Sequence, residues 1–407
     1  MRQARLSSIV VTLLASVFIS LFLPLCVSAG GIRVTENSVE YSFAQQVTFT
    51  LEASSDAEIS EVYLFFRATS DQETEKRRIS LEDRSGKISV AHVHDAEKYP
   101  LSPFADIAFW WQIEDLSGNQ LKTAPKQFKY RDNRFSWELL ESSGIRIHWV
   151  AGQGDPAFAQ TALDVAQASV GDIAAELRGP IPDPLDVFIY DSEANLEGAM
   201  VLTGREWVGG QARPELGVVV IAVPPVQGYT SRMKRYLPHE ITHLIVYALV
   251  TPEGYRHVPD WLNEGLATAN ERLPTPEYAM ALEEARKEGE LLSLQELCVP
   301  FSPDPQIAIL SYAQSASVVA YTREAYGAEG IRRLLSAYAD GASCTSGVEE
   351  ALDITFNKLE SDWRVSLEPE ARWLVVLDQI GVWVGLWLLS MLLVVPMIGR
   401  FRRRRER

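Results

Sequence analysis

The sequence predicts an α+β chain of several domains, and three observations carry that reading. Between Ile32 and about Asp132, apolar and polar residues alternate with a period of two in short runs, as half-buried strands do. After Trp149 the texture becomes mixed helix and strand, and further on almost wholly helical. Both ends carry apolar stretches, Ile9 to Val27 and Ile380 to Ile398, of the length that membranes rather than cores require. With 407 residues the chain also exceeds what one ordinary core fills.

The elements follow in order. Arg2 and Arg5 precede the first apolar run, and Val27-Ser28-Ala29 offers the small residues at which a signal peptidase cuts, so 1–29 is expected to be a signal peptide. The run is long, and retention as an N-terminal anchor is the alternative. Leu25 before Cys26 speaks against a lipoprotein signal. Residues 30–135 contain the runs Val47–Leu51, Val62–Phe66 and Ile107–Ile113, with polar turns such as Ser117-Gly118-Asn119 between strands. Short strands at this spacing suggest a β-sandwich of immunoglobulin or fibronectin type. Its tryptophans are expected in the core, and His92 and His94, which share a strand face, at the surface or an edge.

From 143 to 368 the pattern is α/β and then helical. Asp155-Pro156 opens a helix to about Arg178, a proline-rich turn at 180–184 leads into the strand Leu185–Tyr190, and Gly217–Val223 is a second strand. That second strand suits either a core position or an edge that binds an extended peptide. Asp304-Pro305 opens a helix over Gln306–Tyr326.

The chemistry concentrates in His239-Glu240-Ile241-Thr242-His243. Residues four apart share a helix face, so both imidazoles can hold one metal ion while Glu240 points at the open coordination position. Leu237, Ile241, Leu244, Ile245, Ala248 and Leu249 give this helix a buried stripe, and Pro238 is expected in its first turn. A catalytic zinc needs a third protein ligand. No histidine follows at metzincin spacing. Glu264 lies twenty-one positions beyond His243, in a second predicted helix, Trp261–Arg272, within Asn263-Glu264-Gly265-Leu266-Ala267.

These two linked motifs resemble the gluzincin metallopeptidases, the thermolysin and M1 aminopeptidase group known as peptidase MA, and the order of elements resembles a peptidase MA-like zincin domain. The resemblance implies one zinc ion held by His239, His243 and Glu264, with Glu240 as the base that takes a proton from water attacking a peptide carbonyl. No histidine follows His257, so a tyrosine is the candidate oxyanion donor, as in the M1 relatives. Tyr312 is the choice, with Tyr278 and Tyr321 behind it. Two departures matter. Gly198-Ala199-Met200 continues with Val201-Leu202, so the acidic residue by which M1 enzymes read a free amino terminus is missing, and endopeptidase action is expected. Thr268 stands where thermolysin-like enzymes have the acid that orients a ligand histidine, which leaves that role unassigned.

The remaining features set the compartment. Ile380–Ile398 is long enough to span a bilayer once, and the arginine-rich tail 399–407 places the C-terminus in the cytoplasm and the bulk of the chain outside. Cys298 and Cys344 are the cysteines outside the signal and are expected to pair in that compartment. A net charge of −16 opposes binding to nucleic acid by bulk electrostatics, and the tail arginines abut a membrane helix instead. The sequence therefore describes a membrane-anchored zinc metallopeptidase acting on peptides or proteins. The alternative is an inactive zincin fold serving as a binding or assembly module of the cell envelope.

Overall fold

The computed structural model describes residues 31–68, 73–82, 85–200, 209–273 and 275–368. The expected signal at 1–29, the expected span at 380–398 and the arginine tail lie outside the described residues. Among the described residues no helix is long and apolar enough to cross a membrane. The protein is mixed α+β, with antiparallel sheets first and a helix-rich part after. It divides into two compact units: residues up to Tyr99 with Ile107–Phe128, and Pro100–Asp106 with the chain from Lys129 on.

The first unit contains strands β1 (Arg33–Ser42), β2 (Gln46–Ser54), β3 (Ile59–Ala68), β4 (Glu75–Arg78), β5 (Lys87–Asp95), β6 (Asp106–Asp115), β7 (Gln120–Lys122) and β8 (Lys126–Lys129). One sheet runs β1-β2-β5 and the other β4-β3-β6-β7, with β8 also paired to β6. Alternation decides which face is buried: Val47, Phe49, Leu51 and Ala53 of β2 are fully covered, as are Val62, Leu64 and Phe66 of β3. The sheets meet at Phe49, whose ring lies 5.2 Å from those of Phe66 and Phe109. The tryptophans divide by the same period. Trp111 is in the core, its Nε1 donating to Asn37 Oδ1 at 3.1 Å, whereas Trp110 faces outward and stacks on Phe65 at 5.5 Å, contrary to the expectation of core tryptophans. His94 also departs from expectation. It sits on an edge strand but turns inward, 5% exposed, bound through Nε2 to the Tyr99 carbonyl and packed edge-on against Phe66.

The second unit is built on a sheet of order β12-β13-β11-β10-β9, comprising β9 (Trp137–Ser142), β10 (Ile145–Val150), β11 (Leu185–Tyr190), β12 (Gly210–Arg213) and β13 (Val218–Ala222). The three central strands are parallel, and the two edges run antiparallel to them. Every residue of β11 and β13 is buried, as runs that are apolar but for Asp186 require for strands covered on both faces. Because β13 has a neighbour on each side, it cannot accept a further strand. Among the described residues the edge strand on that side is β12, four residues long.

Helices cover one face of this sheet. They are α1 (Pro156–Leu177), α2 (Glu193–Glu197), α3 (Tyr229–Tyr255), α4 (Asp260–Ala269), α5 (Pro276–Glu288), α6 (Pro305–Ala339), α7 (Cys344–Leu352) and α8 (Phe356–Ser366). Asp155 caps α1 by accepting from the Phe158 N–H at 2.9 Å, and Asp304 caps α6 by accepting from Gln306 and Ile307. Helix α6 runs past the expected Tyr326, but it breaks at Gly327, whose φ of 68° and ψ of −179° are non-helical. One core joins Ile147, Val187, Ile189, Val219 and Ile221 of the sheet to α1, α3, α4 and α6. The opposite face of β10 and β11 carries a buried polar set. His148 donates through Nε2 to Asp186 Oδ1 at 2.7 Å, Arg146 pairs with the same carboxylate, and the His148 ring stacks on Phe188.

Candidate active site

Helix α3 carries the metal-ligand motif, and it begins earlier than the sequence suggests. It starts at Tyr229, so Pro238 lies in its interior instead of its first turn. A proline there has no N–H to give the Lys234 carbonyl one turn back. The structure fills that place from elsewhere: the backbone N–H of Arg272, just beyond α4, donates to the Lys234 carbonyl at 2.9 Å. The proline interruption is thus the point at which the end of α4 is fastened to α3.

Fastening brings the candidate ligands together. His239, His243 and Glu264 are all buried, and one ligand atom from each lies within 4.8 Å of the others. Nε2 of His239 is 3.4 Å from Glu264 Oε2, and Nε2 of His243 is 3.6 Å from it. Bonds of about 2.0 Å at a tetrahedral zinc put its ligand atoms roughly 3.3 Å apart, so these separations fit that ion. The tautomers fit as well. His239 Nδ1 lies 3.3 Å from Glu271 Oε1 and His243 Nδ1 lies 3.2 Å from Asn263 Oδ1, both acceptors, so each Nδ1 carries the proton and each Nε2 is left for a metal. Asn263 is fixed in turn by donating through Nδ2 to the Tyr255 hydroxyl at 3.1 Å.

The charges reinforce one another. Burial opposes the charged form of His239, but hydrogen bonds to Glu264 and Glu271 outweigh it and push its pKa up to about 10. His243 is also raised, burial again losing to Glu264. Burial would raise Glu264, yet His243 and His239 hold it well below the usual carboxylate range. Glu240 goes the other way. It is 4% exposed, and burial lifts its pKa despite the two imidazoles and the N–H of Ala212, which donates to it.

The Ala212 contact ties the carboxylate to strand β12. Gly210 on the same strand makes room for it: a Cβ there would stand 2.9 Å from Glu240 Oε1. Gly265 acts similarly between helices, since a Cβ would fall 2.6 Å from the Ser315 carbonyl oxygen on α6. This explains the glycine of Asn263-Glu264-Gly265 as a packing requirement.

Of the three tyrosines, Tyr312 is buried, its ring 6.1 Å from that of His239 and 5.1 Å from that of Phe301, and Tyr278 stacks on it at 6.3 Å. Tyr321 lies elsewhere: burial and then Asp362 raise its pKa to about 12. Cys298 and Cys344 are joined by a disulfide that links the turn at Glu296–Cys298 to the start of α7. Three participants escaped the sequence reading. Glu271 supplies the carboxylate missing at Thr268 but from three positions further on, Tyr255 supports Asn263, and Ala212 holds Glu240 from a strand too short to show a pattern.

The peptidase MA superfamily model matches residues 165–369, half of the chain and all of the cluster, and the chain belongs to that superfamily. A peptidase-like function goes with this membership, as does zinc, the superfamily's usual metal, although some of its members are inactive. No curated protein matches the chain significantly. Solved structures with some likeness include catalytically inactive OgpA from Akkermansia muciniphila in complex with an O-glycopeptide, at 8% identity, 25% of this chain and 29% of that one, with a TM-score of 0.20. Wild-type OgpA gives 8% identity over 24% and 28%, TM-score 0.20, and a bromine derivative of BhCBM56 gives 15% over 23% and 88%, TM-score 0.17. The chain spans less than a third of the OgpA chain, and similarity this slight bears on neither fold nor function here.

Proposed function

We propose that this protein is a membrane-anchored, extracytoplasmic zinc metallopeptidase that cleaves within peptide chains. The observation that supports it most is the conjunction of three buried ligands at zinc-compatible separations with a buried, unliganded carboxylate, Glu240, on the same helix. A zinc ion held by His239, His243 and Glu264 would supply Lewis acidity, polarising a carbonyl and acidifying water.

The chain's own residues do the rest. Glu240, with a pKa raised by burial, is a better proton acceptor than an ordinary glutamate, and the Ala212 N–H fixes its orientation toward the ligands. Strand β12, the edge of the sheet among the described residues, offers backbone groups to an extended substrate beside that carboxylate. Tyr312, next to His239, would donate its hydroxyl to the developing oxyanion. Absence of the M1 amine-reading acid favours internal bonds. The two-sheet unit is read as an immunoglobulin or fibronectin-like sandwich, in keeping with its three- and five-stranded antiparallel sheets. Export, a single C-terminal span and a cytoplasmic tail rest on the terminal segments 1–29, 380–398 and 399–407.

Glu240→Gln is the deciding variant. It should keep one zinc per chain and the parent's circular dichroism while lowering peptide hydrolysis at least 100-fold, because an amide cannot accept the proton. Parent-like hydrolysis by that variant would remove Glu240 from the chemistry, and a zinc-free parent would favour a binding module over an enzyme.

A further inference from the structure

Arg235 stands one helical turn before His239, so both side chains project from the same face of α3. Arg235 is half-buried, and its Nε is shut off from solvent with no hydrogen-bond partner. Arg146, another arginine with a buried unpartnered Nε, has its charge matched by Asp186. Arg235 has no such match: among the described residues it forms no ion pair. In a chain of net charge −16 an arginine left unpaired at half burial is an exception that its surroundings should explain.

Its place on α3 is the face that carries His239. The Arg235 charge reaches the Tyr278 hydroxyl, where it opposes the upward push of burial and Glu271. Tyr278 stacks on Tyr312, Phe301 stands edge-on to Tyr312, and Tyr312 adjoins His239. A guanidinium one turn from a candidate metal ligand thus acts on a tyrosine of the aromatic group that adjoins that ligand. A planar fork of N–H groups with no internal acceptor is matched by a carboxylate, which it can bind through two parallel hydrogen bonds.

We propose that Arg235 is a specificity-determining residue that binds a substrate carboxylate next to the scissile bond, so that the protein prefers acidic peptides. The inference rests on the peptidase reading for the words scissile bond, but the carboxylate site itself does not depend on hydrolysis. Two sources of the carboxylate are open to the same chemistry: an aspartate or glutamate side chain, or the free C-terminus of the peptide.

The test uses the full-length, zinc-loaded protein in detergent and matched peptides. One series exchanges Glu for Gln at each position within two residues of the cleaved bond, all with amidated ends. A second series keeps neutral side chains and compares a free C-terminal acid with its amide. The parent should favour the acid member of one series by about 10- to 100-fold in kcat/KM, the range a charged hydrogen-bonded pair supplies. Arg235→Gln should erase that ratio, and Arg235→Lys should retain part of it, with zinc content equal to the parent's in both. The series that shows the preference identifies the source. Binding of the same peptides to the zinc-loaded Glu240→Gln protein, read by fluorescence anisotropy, gives the ratio without catalysis. A binding preference that Arg235→Gln erases supports the site even in a protein that cleaves nothing, in which case the peptidase reading fails alone. Cleavage or binding with no acid preference, or an equal loss on acid and neutral peptides in Arg235→Gln, overturns the role of Arg235 and leaves the peptidase reading standing.

Discussion

Glu271 shows how a single residue can be invisible in a motif and still govern it. The acid that orients a ligand histidine was sought four places after Glu264, where Thr268 stands, and it arrives from seven places after, at the end of the fastened segment. Its removal should act on metal affinity. Glu271→Ala is expected to weaken zinc binding about 10- to 100-fold with little change in fold, and Glu271→Gln to recover part of it, as read by competition with a calibrated chelator. Asp186 is a case of the opposite kind, purely structural. Burial raises its pKa, but His148 and Arg146 overcome that and hold it below its ordinary value of 3.8. A depressed carboxylate stabilises the fold at pH above its unfolded pKa, and that contribution disappears as pH falls through the folded one. Asp186→Asn should accordingly melt below the parent at pH 7, with the difference narrowing once pH drops under about 4.

Among elements, the sequence disclosed those whose pattern is long or periodic. The histidine helix, the second helix with its glutamate and the mainly apolar strand β11 all follow from spacing that burial enforces. What escaped was set by tertiary partners. Pro238 read as a first-turn residue because an isolated helix prefers proline there, and only the Arg272 N–H on the Lys234 carbonyl makes an interior position acceptable. Strand β12, with the sequence Gly-Gln-Ala-Arg, has no apolar period to detect and is a strand because β13 pairs with it. The strand read as a possible peptide-binding edge is the one inside. The close approach of α4 and α6 makes its own prediction. Gly265→Ala must push the Ser315 carbonyl away, which should cost about 1–3 kcal/mol in denaturant unfolding and also displace Glu264, the adjacent ligand, with loss of zinc.

At the scale of the molecule, the disulfide between Cys298 and Cys344 ties the turn before α6 to the helix after it. Closing a loop of 46 residues stabilises by about 4 kcal/mol on the chain-entropy estimate. The melting temperature should therefore fall by several degrees in reductant, and peptide mapping without reductant should find the linkage in protein made with residues 1–29, the proposed export signal. Free thiols at both positions in such protein would count against an oxidising compartment and so against the proposed topology. The two-unit division was partly legible, since strand periodicity ends where mixed texture begins. The membership of Pro100–Asp106 in the second unit was not: Phe104 packs on Phe188, and Arg213 donates to Ser102, contacts between segments far apart in sequence.

The fastening at Pro238 also bears on the order of assembly. A helix whose hydrogen-bond ladder has a rung missing cannot be completed by its own residues, so α3 reaches its final form only when the chain beyond α4 has folded back onto it. Local helix formation, which is fast, can present His239 and His243 together but not in their finished setting. That setting includes Glu264 on the returning helix and Glu271 just past its end, so the same event that closes the ladder delivers the third candidate ligand and the residue that orients the first. Secondary structure, candidate metal site and long-range contact thus become one cooperative step, and a nascent chain that has made only the histidine helix holds two of the three candidate ligands without the partners that orient them.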